Sequence, residues 1–232
     1  MTPILRYLVI IGHFTLDLLI REIEIFPRNN PTRKHSMATP ASQIHITRTH
    51  LGVARIDDPD QETLDLANSL LQTNHDAWHM YFQDIGGHNH IPHSLMTVLA
   101  MGGNKSDIER AYRDGERLQR PIPPSEPAAS KELSDPEKFK KAMVKLSGYT
   151  SFLRFFEAEI DAKGWKAVVD EFCFSCSPNA DDMFSQLFEG LYHPLIHLGF
   201  GIEFDQPSIV AEVSLPLEIS RPDYVSNREV PC

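Results

Sequence analysis

Apolar residues recur every three to four positions along most of this chain, the spacing of buried helix faces. Residues 61–82 carry Leu64, Leu66, Leu70 and Leu71, then Trp78, Tyr81 and Phe82, which predicts one long helix. Gly86-Gly87, within residues 84–89, marks a turn. A second helix is expected from Ile91 through Leu95, Val98 and Leu99, stopping at Gly102-Gly103. Ser106, with Glu109 at the capping-box position, predicts the start of a third, running through Ala111 and Tyr112. Further helical stretches are expected over residues 137–146, 149–160, 165–174 and 181–191, with a last apolar run over 209–213. Only residues 43–54 alternate, around Ile44-His45-Ile46-Thr47, and suggest a short extended piece.

This pattern predicts an all-α fold, a bundle-like array of helices. Pro121, Pro123, Pro124 and Pro127 place a loop or polyproline linker over residues 119–130. No repeat of solenoid period is present. Three stretches follow: an N-terminal extension over 1–42, a helical domain over 43–215, and an irregular tail over 216–232. The extension begins with an apolar run from Ile4 to Ile20, interrupted by Arg6, His13 and Asp17, and continues into a Pro-, Asn-, Thr- and Ser-rich stretch read as poorly structured. The run is short for a membrane span and shows no convincing cleavage site. An anchor, a targeting piece and a simple extension all remain open.

Charge narrows the partners. Lys and Arg number 22 against 32 Asp and Glu, a formal net charge of -10, so nothing marks a surface for nucleic acid or an anionic membrane. Membrane contact is expected only through an N-terminal anchor. Three cysteines form no disulfide framework, and a reducing, cytoplasmic setting is the simplest expectation. Cys173 and Cys176 lack the second ligand pair of a zinc site and are expected to be buried structural thiols. The sequence is silent on oligomeric state.

Five of the 11 histidines gather around two prolines: His88, His90 and His93 in Gly-Gly-His-Asn-His-Ile-Pro-His, and His193 and His197 in His-Pro-Leu-Ile-His-Leu-Gly. Neutral imidazole is the commonest metal ligand and a proton carrier near neutral pH. Residues four apart share a helix face, and Pro194 places His193 at a helix start or a kink. His197 lies among Leu195, Ile196, Leu198 and Phe200, so its nitrogens need partners, either an ion or another side chain. His75 and His79 form another pair at this spacing. Histidine ligands with open positions suit zinc, iron or copper, and Glu203 or Asp84 could add a carboxylate. The chain carries no dinucleotide fingerprint, phosphate loop, nucleophile elbow or His-Glu-x-x-His.

At these residues the chain resembles the questin oxidase-like family. The resemblance rests on Asn74-His75-Asp76-Ala77-Trp78-His79-Met80-Tyr81-Phe82, on Gly87-His88-Asn89-His90-Ile91-Pro92-His93, on Arg120-Pro121, on Phe155-Phe156-Glu157 and Lys163-Gly164-Trp165, and most specifically on His193-Pro194-Leu195-Ile196-His197-Leu198-Gly199-Phe200-Gly201-Ile202-Glu203-Phe204. It spans residues 43–213. It implies an all-α oxygenase that uses dioxygen to open the central ring of an anthraquinone-like aromatic polyketide in fungal secondary metabolism, by Baeyer–Villiger-type or dioxygenase-type oxidation. It also implies non-haem iron held by histidines, and NADPH as reductant in some members. Carried over by position, His90, His193 and His197 are the expected metal ligands. His88 and His93 are the expected catalytic residues, lying behind the ligands or facing the substrate, and Glu203 is expected to orient a ligand.

Family members continue for another domain-sized stretch beyond Ala211-Glu212, whereas here Pro216, Pro222 and Pro231 follow and the sequence stops at Cys232. The expectation is therefore an N-terminal portion of such an oxygenase, with apolar surface left exposed and activity lost if the missing part supplies site residues. Two rival readings stand beside it: a non-catalytic helical fragment with structural histidines, and a metal-dependent hydrolase holding zinc.

Overall fold

The computed structural model describes residues 39–213 apart from 53–54, 84–85, 125–126 and 144–145. The expected extension and tail, and Asp84, lie outside these residues. Within them the chain is all-α, apart from one two-stranded hairpin. The elements are α1 (Gln61–Ala77), β1 (Tyr81–Gln83), β2 (Gly86–His88), α2 (Ile91–Ala100), α3 (Lys105–Glu116), α4 (Pro127–Glu132), α5 (Pro136–Met143), α6 (Tyr149–Lys163), α7 (Trp165–Val169), α8 (Pro178–Leu187), α9 (Glu189–Glu203) and α10 (Pro207–Glu212). A π-helical turn, Asp170–Phe174, extends α7. Among the described residues no helix is long and apolar enough to cross a membrane.

The helix expected over 61–82 stops five residues early. It starts at Asp60, whose side chain accepts from the Thr63 N–H, and ends at Ala77. The next residues pair instead: Tyr81 with His88 and Gln83 with Gly86, antiparallel. Aromatic residues favour strands, and Gly87, at φ +91, takes a backbone conformation open mainly to glycine. The third helix is capped by Asn104, which forms a reciprocal box with Asp107, rather than by Ser106 and Glu109. Asn accepts well at this position, and the box sits two residues earlier than expected.

The proline-rich stretch is docked rather than free. His79 N–H donates to the Arg120 carbonyl and Ile122 N–H to that of Ala77, both at 2.9 Å. Pro127, expected in the loop, opens α4. Of the alternating segment, residues 48–50 wind into a single 3-10 turn instead of extending, and its described residues join no sheet. Ile44 and Ile46 donate their N–H groups to Gln72 Oε1 at 2.8 Å and Asn68 Oδ1 at 2.7 Å. The same amides donate back to the Ser42 and Ile46 carbonyls. Two carboxamides four residues apart on α1 thus replace a neighbouring strand, and Ile44 and Ile46 are buried.

Two apolar cores result. One gathers Leu64, Leu71, Leu95, Leu99, Ile196 and Phe200 from α1, α2 and α9. The other holds Phe139, Phe152, Phe156, Val168, Leu195 and Leu198. Helix α9 feeds both, so His197, between Ile196 and Leu198, stands on the seam. Cys173 is buried as expected, and burial pushes its thiol up to about 12. Cys176 is not buried: it is exposed at a left-handed turn, φ +56. Phe184, Phe188, Leu191 and Tyr192 are all exposed, and Phe184, Phe188 and Tyr192 contact edge to face.

Candidate metal centre

Each histidine is aimed by a break in regular structure. His88 ends β2, and His90 precedes Ile91-Pro92 at the start of α2, where proline costs no hydrogen bond. His93 follows in the first turn. On the facing element, Gly190, Leu191 and Tyr192 are all left-handed, with φ of 55, 62 and 66°. The right-handed helix therefore begins at His193-Pro194, as the proline predicted. His197 lies one turn further on.

These breaks bring all five imidazoles together. His88, His93 and His197 are buried, and each offers a nitrogen within 4.8 Å of the others. His93 Nε2 lies 3.0 Å from His197 Nδ1. His193 stacks on His88, with ring centroids 5.4 Å apart, and on His90 at 4.7 Å and 6°. His90 itself is exposed and forms the rim. Of the expected ligands, His197 lies in the tightest group, whereas His193 and His90 form a stacked pair beside it. His88 and His93, expected to act from behind the ligands or toward the substrate, are the residues nearest His197.

The hydrogen bonds assign the protons. A carbonyl or carboxylate oxygen only accepts, so the ring nitrogen facing it carries the hydrogen. His88 Nδ1–H donates to the Asn89 carbonyl at 3.0 Å, and its Nε2 is buried without a protein partner. His193 Nδ1–H donates to the Gly190 carbonyl, and its Nε2 is likewise buried and unpartnered. His197 Nε2–H donates to Glu212 Oε2 at 3.0 Å, which turns Nδ1 toward the cluster. Burial, then repulsion from His197, holds His88 and His93 well below the ordinary imidazole value. Burial of one face, then His193, brings His90 to about 4. Lone pairs on neutral, buried imidazoles are the donor set of a transition-metal site, and an unpartnered buried nitrogen is costly unless something binds it.

Behind the cluster runs a chain of buried polar groups that sequence reasoning missed. Glu212 Oε1 accepts from His75 Nδ1 at 2.7 Å, and His75 Nε2 reaches Glu157 Oε1 at 2.9 Å. Glu157 is held in turn by Arg154, at 2.6 and 2.7 Å. Burial opposes the charge on His75, but the bonds to Glu157 and Glu212 prevail and raise it to about 9. Burial likewise opposes the charge on Glu212, and the bonds from His197 and His75 outweigh it, so its carboxyl stays below the ordinary range. His75 is therefore an imidazolium between two carboxylates. His79 lies beyond the end of α1. Its Nδ1 accepts from the Tyr81 N–H and its Nε2–H donates to the Leu146 carbonyl, so the two share no ligand. The Glu203 carboxylate lies over Gly52, where an added Cβ would meet Oε1 at 2.5 Å. A signal for Glu212 was present in Ile209-Val210-Ala211-Glu212-Val213: a single carboxylate in an apolar run must find a partner.

Residues 87–213, more than half of the chain, match the model of a family described as questin oxidase-like. The chain is 52% identical over 176 residues to questin oxidase of Aspergillus terreus, covering 76% of this chain and 39% of that protein. It is 48% identical over 175 residues to Baeyer–Villiger oxidase ptaJ of Pestalotiopsis fici, covering 75% and 39%. It is 54% identical over 172 residues to Baeyer–Villiger oxidase notM of an Aspergillus species, covering 74% and 37%. The chain thus spans less than two fifths of the length of these relatives.

Proposed function

Because the chain belongs to the questin oxidase-like family, we propose that it forms the histidine-bearing part of an oxygenase that carries out Baeyer–Villiger-type oxidation of an anthraquinone-like polyketide. The observation that carries this reading is the five-histidine cluster with two buried, unpartnered Nε2 atoms, His88 and His193. The overall change inserts one oxygen atom of dioxygen beside a ring ketone. The other oxygen leaves as water, with two electrons and two protons from a reductant such as NADPH. The cyclic ester so formed opens by hydrolysis.

His88, His93 and His197 would hold a non-haem iron ion, with the Nε2 of His193 beside them as a further donor. The ion would supply a place where dioxygen can bind and be reduced next to the substrate. The protein supplies the rest. His90 and His193, parallel and 4.7 Å apart, present a flat rim against which a planar ring system can lie. Phe200, stacked on His93 at 5.4 Å, closes the inner side with an apolar face and limits water.

The reaction is tested with oxygen-18 gas, an anthraquinone ketone, NADPH and iron, with the chain supplied alone and within a full-length family protein. The reading predicts a ring-opened acid carrying one labelled oxygen from the cleavage step, absent in a His88→Ala/His93→Ala variant of the full-length protein. Product without label, or full activity in that variant, would contradict it.

A further inference from the structure

Behind the cluster, the described residues form a continuous polar line, His197–Glu212–His75–Glu157–Arg154. Four of its five members are buried, and they come from four helices in three distant stretches of sequence: α1, α6, and the successive α9 and α10. Every contact lies at 2.6–3.0 Å. Burying two carboxylates and two imidazoles is costly unless each is bonded, and a hydrophobic set of similar volume would stabilise at least as well. The arrangement calls for a role other than stability, and its geometry shows one. Glu212 has one oxygen on His197 and the other on His75, so it cannot turn. His75, charged and bonded through both nitrogens, fixes Glu212 from behind, while Arg154 holds Glu157 with two bonds.

We propose that Glu212 and His75 are positioning residues that lock His197 in the Nε2–H form, leaving Nδ1 as the atom offered to a metal ion. This rests on the metal-centre reading above and adds the source of the ligand's orientation. An imidazole free to choose its tautomer presents the wrong atom part of the time and can rotate away. A carboxylate accepting from the far nitrogen removes that freedom and raises the basicity of the near one. His88 and His193 are fixed by backbone carbonyls in the same sense, Nδ1–H outward and Nε2 inward. His197 is reversed because its Nδ1 is the nitrogen facing the cluster.

Nitrogen-15 NMR of the metal-free chain reads the tautomer of each histidine ring directly, with His197 identified by its loss in His197→Asn. The expected spectrum has His197 protonated at Nε2 in the wild type and mixed in Glu212→Gln, whose amide can offer a donor as well as an acceptor. Cobalt(II) titration is expected to show affinity reduced 10- to 100-fold in Glu212→Gln, and less in His75→Asn, with rescue toward wild type in Glu212→Asp. Wild-type His197 protonated at Nδ1 overturns the inference, even if no variant folds. An unchanged tautomer and unchanged cobalt affinity in folded Glu212→Gln overturn it too. A wild-type chain that binds no cobalt yet shows His197 at Nε2–H would defeat the metal-centre reading while supporting the locked tautomer.

Discussion

His93 and His197 lie 104 residues apart in sequence, and their facing ring nitrogens, Nε2 and Nδ1, are 3.0 Å apart inside the protein. Without an ion, one nitrogen must donate to the other. An ion held here would need both lone pairs, and the proton on His93 Nε2 would then pass to its Nδ1. The contact is thus a hydrogen bond that a metal would replace, and binding should shift the His93 tautomer.

His75 sits between two buried carboxylates, so removing it leaves Glu212 with only His197 and Glu157 with only Arg154. His75→Leu is expected to cost about 3 kcal/mol, because each buried carboxylate then loses one of its two partners and the charge between them. Urea unfolding of the metal-free chain measures this. A loss under about 1 kcal/mol would mean that the carboxylates are solvated or protonated instead.

The charge on His75 also sets a pH dependence. Its folded value of about 9 lies above the ~6.5 of a free imidazole. Its contribution is therefore complete below about 6.5 and is lost as the pH rises through about 9. The urea midpoint should fall across that window, and His75→Gln should flatten the fall. Glu212 acts in the opposite sense: its lowered carboxyl contributes above the ordinary carboxylate range, and that contribution is lost on acidification.

Asn68 takes the place of a strand by bonding both backbone groups of Ile46. Asn68→Ala leaves a buried N–H and C=O without partners and should destabilise by roughly 2–3 kcal/mol. Amide hydrogen exchange at Ile46 should accelerate with it. Unchanged exchange there would show that the segment does not depend on this side chain.

Leu191 is exposed yet left-handed, at φ +62, a conformation that costs a residue with a Cβ about 1–2 kcal/mol. Leu191→Gly should raise stability by roughly 0.5 kcal/mol once the added freedom of the unfolded chain is deducted. Strain of this kind gathers where a side chain must be aimed, and the strained turn here ends at His193.

What was legible in the sequence follows from periodicity and proline. The helical class and the break at Pro194 could be read because each depends on local rules, whereas the joining of the two histidine groups was implied only by the family resemblance. The hairpin over residues 81–88 was missed because Tyr81 and Phe82 continue an apolar stripe that fits either a helix or a strand. The division among the five histidines was not readable: which nitrogen faces inward depends on the Asn89 and Gly190 carbonyls and on Glu212, and only the fold brings Glu212 to His197. Glu203 was the nearer carboxylate in sequence, six residues along the same helix, but it points toward Gly52.

If these histidines hold a metal ion, the purified protein will carry it. Elemental analysis of the purified chain, expressed with added iron and desalted, tests it most directly beside a His88→Ala/His93→Ala variant whose folding is checked by circular dichroism. The account predicts close to one iron per chain in the wild type and almost none in the folded variant. A well-folded wild type that holds no transition metal, or a variant that retains the full complement, would contradict it.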